Sequence, residues 1–220
     1  MYKNSNTLFF GSNTFFSLRV LDHLAESSHI PGAIVIPEFP AFEFRQTDRL
    51  LAQLDTPNEL KRRAKSHNIE YFFAPERQAD KLINQLSGRD IDFILVACWP
   101  YKLSAQVCRR ANRAAMNLHP SLLPEYRGAN PVEDQITRKE RNLGVSLHLL
   151  SDKFDSGDII KKAKFDRPKN PDREAIEQQA AELGARLFIE SCQEYGSPKW
   201  SPQPQESGRA SNFKPISSGN

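Results

Sequence analysis

The 220-residue chain has few cysteines, almost no net charge and no long apolar run. Its three cysteines, Cys98, Cys108 and Cys192, are odd in number and none forms a CxxC pair, which excludes a full disulfide framework and a zinc ribbon. They read as free thiols in a reducing compartment, and no base beside any of them advertises a catalytic cysteine. Lysine and arginine number 30 against 27 aspartates and glutamates, a formal charge of +3, too slight an excess to require nucleic acid as a partner. The most apolar stretch, DFILVAC at 92–98, falls far short of the roughly 20 residues that cross a bilayer. The opening MYKNSNTLFFGSN lacks the apolar core of a secretory signal. A cytoplasmic protein without membrane contact is the expectation. No internal repeat with a period of roughly 20–50 residues is present. What remains is ordinary for a globular chain, 39% hydrophobic and 26% charged, and long enough to bury roughly 70% of its unfolded surface.

The hydrophobic pattern alternates strand and helix. Residues 7–10 form a β-type run ending at Gly11, and Ser12 or Asn13 is placed to cap a helix to about Leu24, with Phe16, Val20, Leu21 and Leu24 on one face. Residues 33–36 read as a buried strand stopped by Pro37, and 37–54, rich in Pro and Phe, as a loop. Thr56-Pro57 opens a helix to about Ser66. A strand at 70–73 and a helix at 78–86 follow. The nearly continuous apolar run at 92–98 suits a central strand covered on both faces. Then come a helix at 104–112, a strand at 115–118, a helix at 131–138, and strands at 145–149 and 159–165. A long amphipathic helix at 171–195 is capped by Asn170. The expected architecture is α/β: a doubly wound, mostly parallel twisted sheet flanked by helices, Rossmann-like. It occupies residues 1–196, and the Pro-, Ser-, Gln- and Gly-rich stretch 197–220 is expected to be a loosely packed or partly disordered tail.

In such a sheet, ligands bind beyond the carboxyl ends of the central strands. Three segments qualify: 97–103, 117–124 and 148–158. Asn117 and His119 are two apart, so they point to one side of their strand, and Pro120 ends it. An amide and an imidazole at a strand mouth can both donate to an oxygen that gains charge, one such donor being worth about 3 kcal/mol. Asp155, in the turn Asp155-Ser156-Gly157-Asp158, can supply acid/base function, and a carboxylate near His119 is expected to raise the pKa of that histidine. Taken singly, each residue also fits a plain role: Asn117 as a turn or cap residue, His119 as a structural histidine, Asp155 as a turn former. The case for chemistry rests on their conjunction.

The stretch NLHPSLLPEYRGANP at 117–131 resembles the signature of the folate-dependent formyltransferases, a superfamily that includes methionyl-tRNA formyltransferase, glycinamide ribonucleotide formyltransferase and the sugar N-formyltransferases. GVSLH at 144–148, with DSGDII at 155–160, is similar to its second signature, and ILVACWPYKLS at 94–104 resembles its folate-cradling strand and loop. The resemblance spans residues 7–195. It implies an enzyme that moves a formyl group from 10-formyltetrahydrofolate to an amine, with Asn117, His119 and Asp155 as the catalytic residues. On that analogy Asn117 and a protonated His119 hold the oxygen that turns negative as the amine attacks the formyl carbon. Asp155 tunes His119 and helps take the amine proton. Trp99, Tyr101 and Leu103 in one loop, and Ser151, Asp152 and Phe154 in another, are the implied cofactor-binding residues. His148 and Ser121 are assigned to the acceptor side, with Ser121 bracing its loop. No metal is implied, and the histidines show no HxxxH spacing.

The acceptor is less legible. Glycinamide ribonucleotide enzymes carry a Gly-x-Gly-Ser-Asn phosphate loop, of which Gly11-Ser12-Asn13 keeps a part. These residues either hold an acceptor phosphate on backbone amides or cap the first helix. The C-terminal barrel of methionyl-tRNA formyltransferase has no counterpart in this chain. Lys61-Arg62-Arg63 and Arg109-Arg110 read as solvated helix faces rather than a tRNA surface. The expectation is a small-molecule amine such as a nucleotide-linked amino sugar, with initiator methionyl-tRNA as the alternative. Some members of the superfamily pair through the C-terminal part of the chain, so a homodimer is also open. A catalytically silent folate-binding protein is the rival from another class, motivated by the Pro/Phe-rich stretch 37–44 and the Trp99-Pro100 loop.

Overall fold

The computed structural model describes residues 5–27, 29–38, 59–75 and 79–206. The loop expected to Leu54, the Thr56-Pro57 cap and the tail from 207 onward lie outside the described residues. Strand β1 (Ser5–Gly11) explains why the sheet is covered on both sides. Leu8 and Phe10 enter one apolar layer and Phe9 the other, all fully buried. The alternation recurs in β4 (Phe93–Ala97), where Phe93, Leu95 and Ala97 join Phe9 while Ile94 and Val96 join Phe10. With β2 (Pro31–Glu38), β3 (Glu70–Pro75) and β5 (Ala114–His119) these form the parallel part of the sheet. Strands β6 (Asn142–Leu149) and β7 (Ile159–Asp166) add antiparallel pairings, giving the order β3-β2-β1-β4-β5-β6-β7. One layer is covered by α1 (Phe15–Glu26), α2 (Glu59–Ser66) and α6 (Arg173–Glu194). The other takes Leu82 of α3 (Ala79–Gln85) and Val107 of α4 (Ala105–Cys108). Helix α5 (Pro131–Thr137) packs Val132 with Leu143 and Ile176. This is the doubly wound, mostly parallel α/β sheet that the pattern predicts.

Several local expectations are corrected. Thr14, not Ser12 or Asn13, caps α1, its side-chain oxygen accepting from Ser17 N. Asn13 reaches instead to α2, where its Oδ1 accepts from Leu60 N at 3.0 Å. Strand β2 continues through Pro37 to Glu38. Past the last β1 rung at Phe10↔Val35 only β3 runs beside it, so the missing proline N–H breaks no rung to β1. Asp172, not Asn170, caps α6: its carboxylate accepts from Ala175 N at 2.7 Å and places negative charge at the helix N-terminus. Helix α4 stops at Cys108 rather than Asn112, because only Val107 in it is buried and no apolar stripe extends it. Beyond Gly196, where a loose tail is expected, the chain is held as far as Glu206. Trp200 packs on Tyr195 with centroids 4.9 Å apart, and Gln203 exchanges both backbone hydrogen bonds with Ile159 at 2.8 and 2.9 Å. Among the described residues no helix is long and apolar enough to cross a membrane.

Candidate active site

Strands β4, β5 and β6 end at a cleft of about 1880 Å³. The β5 register sets Asn117 between Val96 of β4 and His148 of β6, with His119 further along the same side. Asp155 arrives from the loop between β6 and β7. A Cβ on Gly157 would lie 1.9 Å from Leu149 O, so only glycine lets that loop fold back on its own strand. Asp155 itself has φ 51°, in the left-handed region that aspartate tolerates better than most residues. Cys98 (φ 53°) and Tyr126 (φ 59°) hold the same uncommon conformation in the two other loops around the cleft.

The side chains converge. His119 is 5% exposed and its Nε2–H donates to Tyr126 O at 2.7 Å. That orientation turns Nδ1 toward Asp155 Oδ1, 3.6 Å away. Asp155 Oδ2 accepts from Gly128 N at 3.0 Å, and Oδ1 accepts from Asn117 Nδ2 at 3.3 Å. The same amide nitrogen donates to His148 Nε2 at 3.0 Å. His148 Nδ1 donates to Leu149 O at 2.8 Å, which fixes the tautomer and leaves Nε2 as an acceptor. Burial raises the Asp155 carboxyl, but His119, His148 and the Gly128 N–H together hold it down at about 2, so it is a carboxylate at neutral pH. His119 shifts the opposite way to the expectation. Burial pushes its pKa below the ordinary 6.5, and attraction to Asp155 offsets only part of this. The ring is almost wholly withdrawn from water, and the cost of desolvating a cation exceeds the gain from one neighbouring carboxylate.

Trp99, Tyr101, Leu103, Ser151, Asp152 and Phe154 all line the cleft. Trp99 packs edge-on against Phe10 and Tyr101, with centroids 5.1 and 5.9 Å apart. Phe154 stands at the cleft 64% exposed, a large apolar ring left mostly uncovered. Ser12 and Asn13 also line it, but Gly11 does not. A Cβ on Gly11 would meet the Phe9 ring and Ser17 Oγ at 2.5 Å, so this glycine serves packing. Ser121 is fully buried away from the cleft. Its Oγ donates to Glu125 O at 2.8 Å and its carbonyl accepts from Ser146 Oγ at 2.7 Å, so it braces its loop and does not line the cleft. His148 is 1% exposed with both ring nitrogens engaged inside the protein, so its position suits orienting Asn117.

Three participants escape sequence reasoning. Tyr126 O and Gly128 N sit inside the quoted motif, but backbone groups carry no side-chain signal. Glu177 is 3% exposed and lines the cleft. Its Oε2 accepts from Phe16 N at 3.1 Å in the first turn of α1, and its Oε1 accepts from Arg173 Nε at 2.6 Å. A protein carboxylate thus occupies the helix terminus at which an acceptor phosphate was considered. Burial raises the Glu177 pKa, with Arg173 opposing. Among the described residues no group of His, Cys, Asp and Glu is arranged to hold a metal ion.

Comparison with known proteins adds to the geometry. A family model described as formyl transferase matches residues 5–192. Methionyl-tRNA formyltransferase of Chloroflexus aurantiacus is 30% identical over 210 residues, 95% of this chain and 65% of its own. That of Methylacidiphilum infernorum is 33% identical over 161 residues, 73% of this chain and 50% of its own. The chain thus spans between half and two thirds of the length of these curated relatives. Among solved structures, the N-formyltransferase from Helicobacter canadensis in complex with folinic acid and dTDP-3-aminofucose superposes with a TM-score of 0.65 at 17% identity, covering 97% of this chain and 71% of that one. Phosphoribosylglycinamide formyltransferase from Bacillus halodurans gives 0.63 at 17% identity, covering 84% and 91%.

Proposed function

The chain belongs to the formyl transferase family, and from that footing we propose that it transfers the formyl group of 10-formyltetrahydrofolate to the amine of a small molecule, such as a nucleotide-linked amino sugar. The convergence of Asn117, His119 and Asp155 at one cleft mouth carries this reading. The cleft suits a flat heteroaromatic donor: Trp99, Tyr101 and Leu103 form an apolar wall, and Phe154 offers a mostly uncovered ring. These residues would hold the folate, which supplies the activated one-carbon unit. With Nε2–H committed to Tyr126 O, the neutral His119 ring presents a lone pair at Nδ1. As the amine bonds to the formyl carbon and that carbon's bond to the folate nitrogen breaks, His119 would take the amine proton there and return it to the departing nitrogen, with Asp155 at 3.6 Å stabilising the cation in between. Of the two Asn117 N–H bonds, the 3.3 Å one to Asp155 is the weaker. It is the one to exchange for an oxygen that gains charge, the contact that lowers the barrier.

Two observations bear on the acceptor. Glu177 Oε2 takes the Phe16 N–H in the first turn of α1, so the phosphates of a nucleotide-linked amine would seat elsewhere in the cleft. The same cleft presents Glu38, Glu133 and Glu177 with Arg173, a wall that suits the ammonium end of the acceptor and disfavours a long polyanion such as tRNA. Lys102 and Lys153 lie in the loops assigned to the donor, and Arg109 at the end of α4 lines the same cleft; all three suit its glutamate carboxylates. The second reading, transfer to initiator methionyl-tRNA, is favoured by the identity to the Chloroflexus and Methylacidiphilum enzymes. Incubation with 10-formyltetrahydrofolate and a panel of amines, charged initiator tRNA included, separates the readings by release of tetrahydrofolate. Turnover with an amino-sugar nucleotide and none with the tRNA is expected. The reverse pattern establishes the second reading, and no turnover with any amine refutes both.

A further inference from the structure

Residues 197–206 leave α6 and return across the sheet to the catalytic loop. Gln203 pairs with Ile159 at the start of β7, and two residues later Gln205 reaches the turn that carries Asp155. Its Nε2 donates to Asp155 O at 2.9 Å and to Gly157 O at 2.7 Å. Its Oε1 accepts from Arg127 Nε at 3.1 Å and Arg127 Nη2 at 2.5 Å. Both amide protons and the oxygen are therefore engaged. Arg127 precedes Gly128, whose N–H holds Asp155 Oδ2. One side chain thus closes a ring from the Arg127-Gly128 loop through Asp155 and back.

We propose that Gln205 is a positioning residue for the transfer reaction, clamping the left-handed turn at Asp155 so that its carboxylate stays between Asn117 and His119. The inference rests on the formyl-transfer reading above. Asp155 sits at φ 51°, a conformation a non-glycine residue leaves when nothing holds it. Gly128 N fixes one carboxylate oxygen and Leu149 N holds the Asp158 carbonyl at 2.9 Å, while the carbonyls of Asp155 and Gly157 are bound by Gln205. Only glutamine has the reach to the turn and both kinds of group. Glutamate keeps the partner for Arg127 but offers no donor to either carbonyl, and it sets a negative charge against two carbonyl oxygens.

That difference makes the test. Gln205→Ala and Gln205→Glu are compared with the parent for kcat, for the KM of the folate donor, and for the titration of the His119 ring by NMR. Both variants are expected to lose kcat by roughly 10- to 100-fold, the scale of loss when a reacting group shifts by about 1 Å, with donor KM within about twofold of the parent. Of the groups that act on His119, Asp155 favours its cation, while Arg127, and His148 once protonated, oppose it. Displacing Asp155 leaves the opposing pair, so the His119 midpoint falls in both variants. This NMR readout needs no turnover, and it stands even if the acceptor or the reaction has been misassigned. A parent-like His119 midpoint in both variants overturns the proposal. So does Gln205→Glu behaving as the parent while Gln205→Ala is impaired, because that pattern means Gln205 only tethers Arg127.

Discussion

At the scale of single residues, the site works by opposed solvation. His119 and Asp155 are both withdrawn from water, yet one is driven toward its neutral form and the other held in its charged form. The difference lies in their donors: Asp155 accepts from Gly128 N and Asn117, whereas His119 has one carbonyl and a carboxylate at 3.6 Å. An NMR titration should therefore place the His119 midpoint below 6.5, and Asp155→Asn should lower it further by removing the charge that favours the cation. A midpoint above 6.5 contradicts this. Both groups make the fold less stable in acid. Below pH 6.5 the unfolded chain gains a proton at His119 that the folded ring resists. Further down, the stability that Asp155 contributes above its ordinary 3.8 is lost as pH falls toward about 2. Asn117, His119 and Asp155 were legible because their chemistry lies in side chains at period-two or turn positions. The protonation of His119 was not legible, since it depends on burial that no local pattern encodes.

At the scale of elements, strands were easier to read than helix ends. The alternation of Leu8, Phe9 and Phe10 between two apolar layers is a property of the strand itself. Capping is a competition among adjacent polar residues. Ser12, Asn13 and Thr14 are all competent, and tertiary contacts assign Thr14 to α1 and Asn13 to α2. The junction of α1 and α6 shows the same dependence. Glu177 serves Phe16 N across 161 positions of sequence, and within α6 it looks like half of an ordinary pair with Arg173. Glu177→Ala leaves a buried N–H without its acceptor and Arg173 without a main partner. Urea unfolding should show a loss of about 1–3 kcal/mol at an unchanged m-value. A loss below about 0.5 kcal/mol would mean the junction contributes little. The residues from Ser197 to Glu206 were misread for a related reason: their Pro/Gln composition suggests a solvated tail, while their partners lie in β7 and the Asp155 turn.

At the scale of the molecule, the fold places one cleft where β4, β5 and β6 end, and charge is arranged around it rather than in a basic patch. Arg63 is paired with Asp22 at 2.6 Å, Lys61 lies 5.5 Å from the centre of the Tyr71 ring, and Arg110 donates to Leu86 O at 3.0 Å. Lys61, Arg63 and Arg110 of the basic runs are thus committed to the protein's own groups. Uncharged tRNA should bind weakly, near the 10⁻⁴ M end of the non-specific range at physiological salt, as read by fluorescence anisotropy. Micromolar binding with a steep salt dependence would instead favour the tRNA reading. The part of the cleft proposed for the acceptor is lined from β2, the start of α1, α5 and α6, elements far apart in the chain, so no consecutive motif marks it. The family signature lies in consecutive residues and was visible at once.

On the proposed reading, Asn117 serves the oxygen that gains charge and His119 takes the amine proton in one transfer step. Single-turnover formation of formylated amine, with donor and acceptor both saturating, tests this directly in the parent and in Asn117→Ala and His119→Ala. Each variant should be slower by about 100-fold or more while still binding the folate, Asn117→Ala by losing a donor to the developing negative oxygen and His119→Ala by losing the base that takes the amine proton. Rates within a few-fold of the parent in either variant would contradict it.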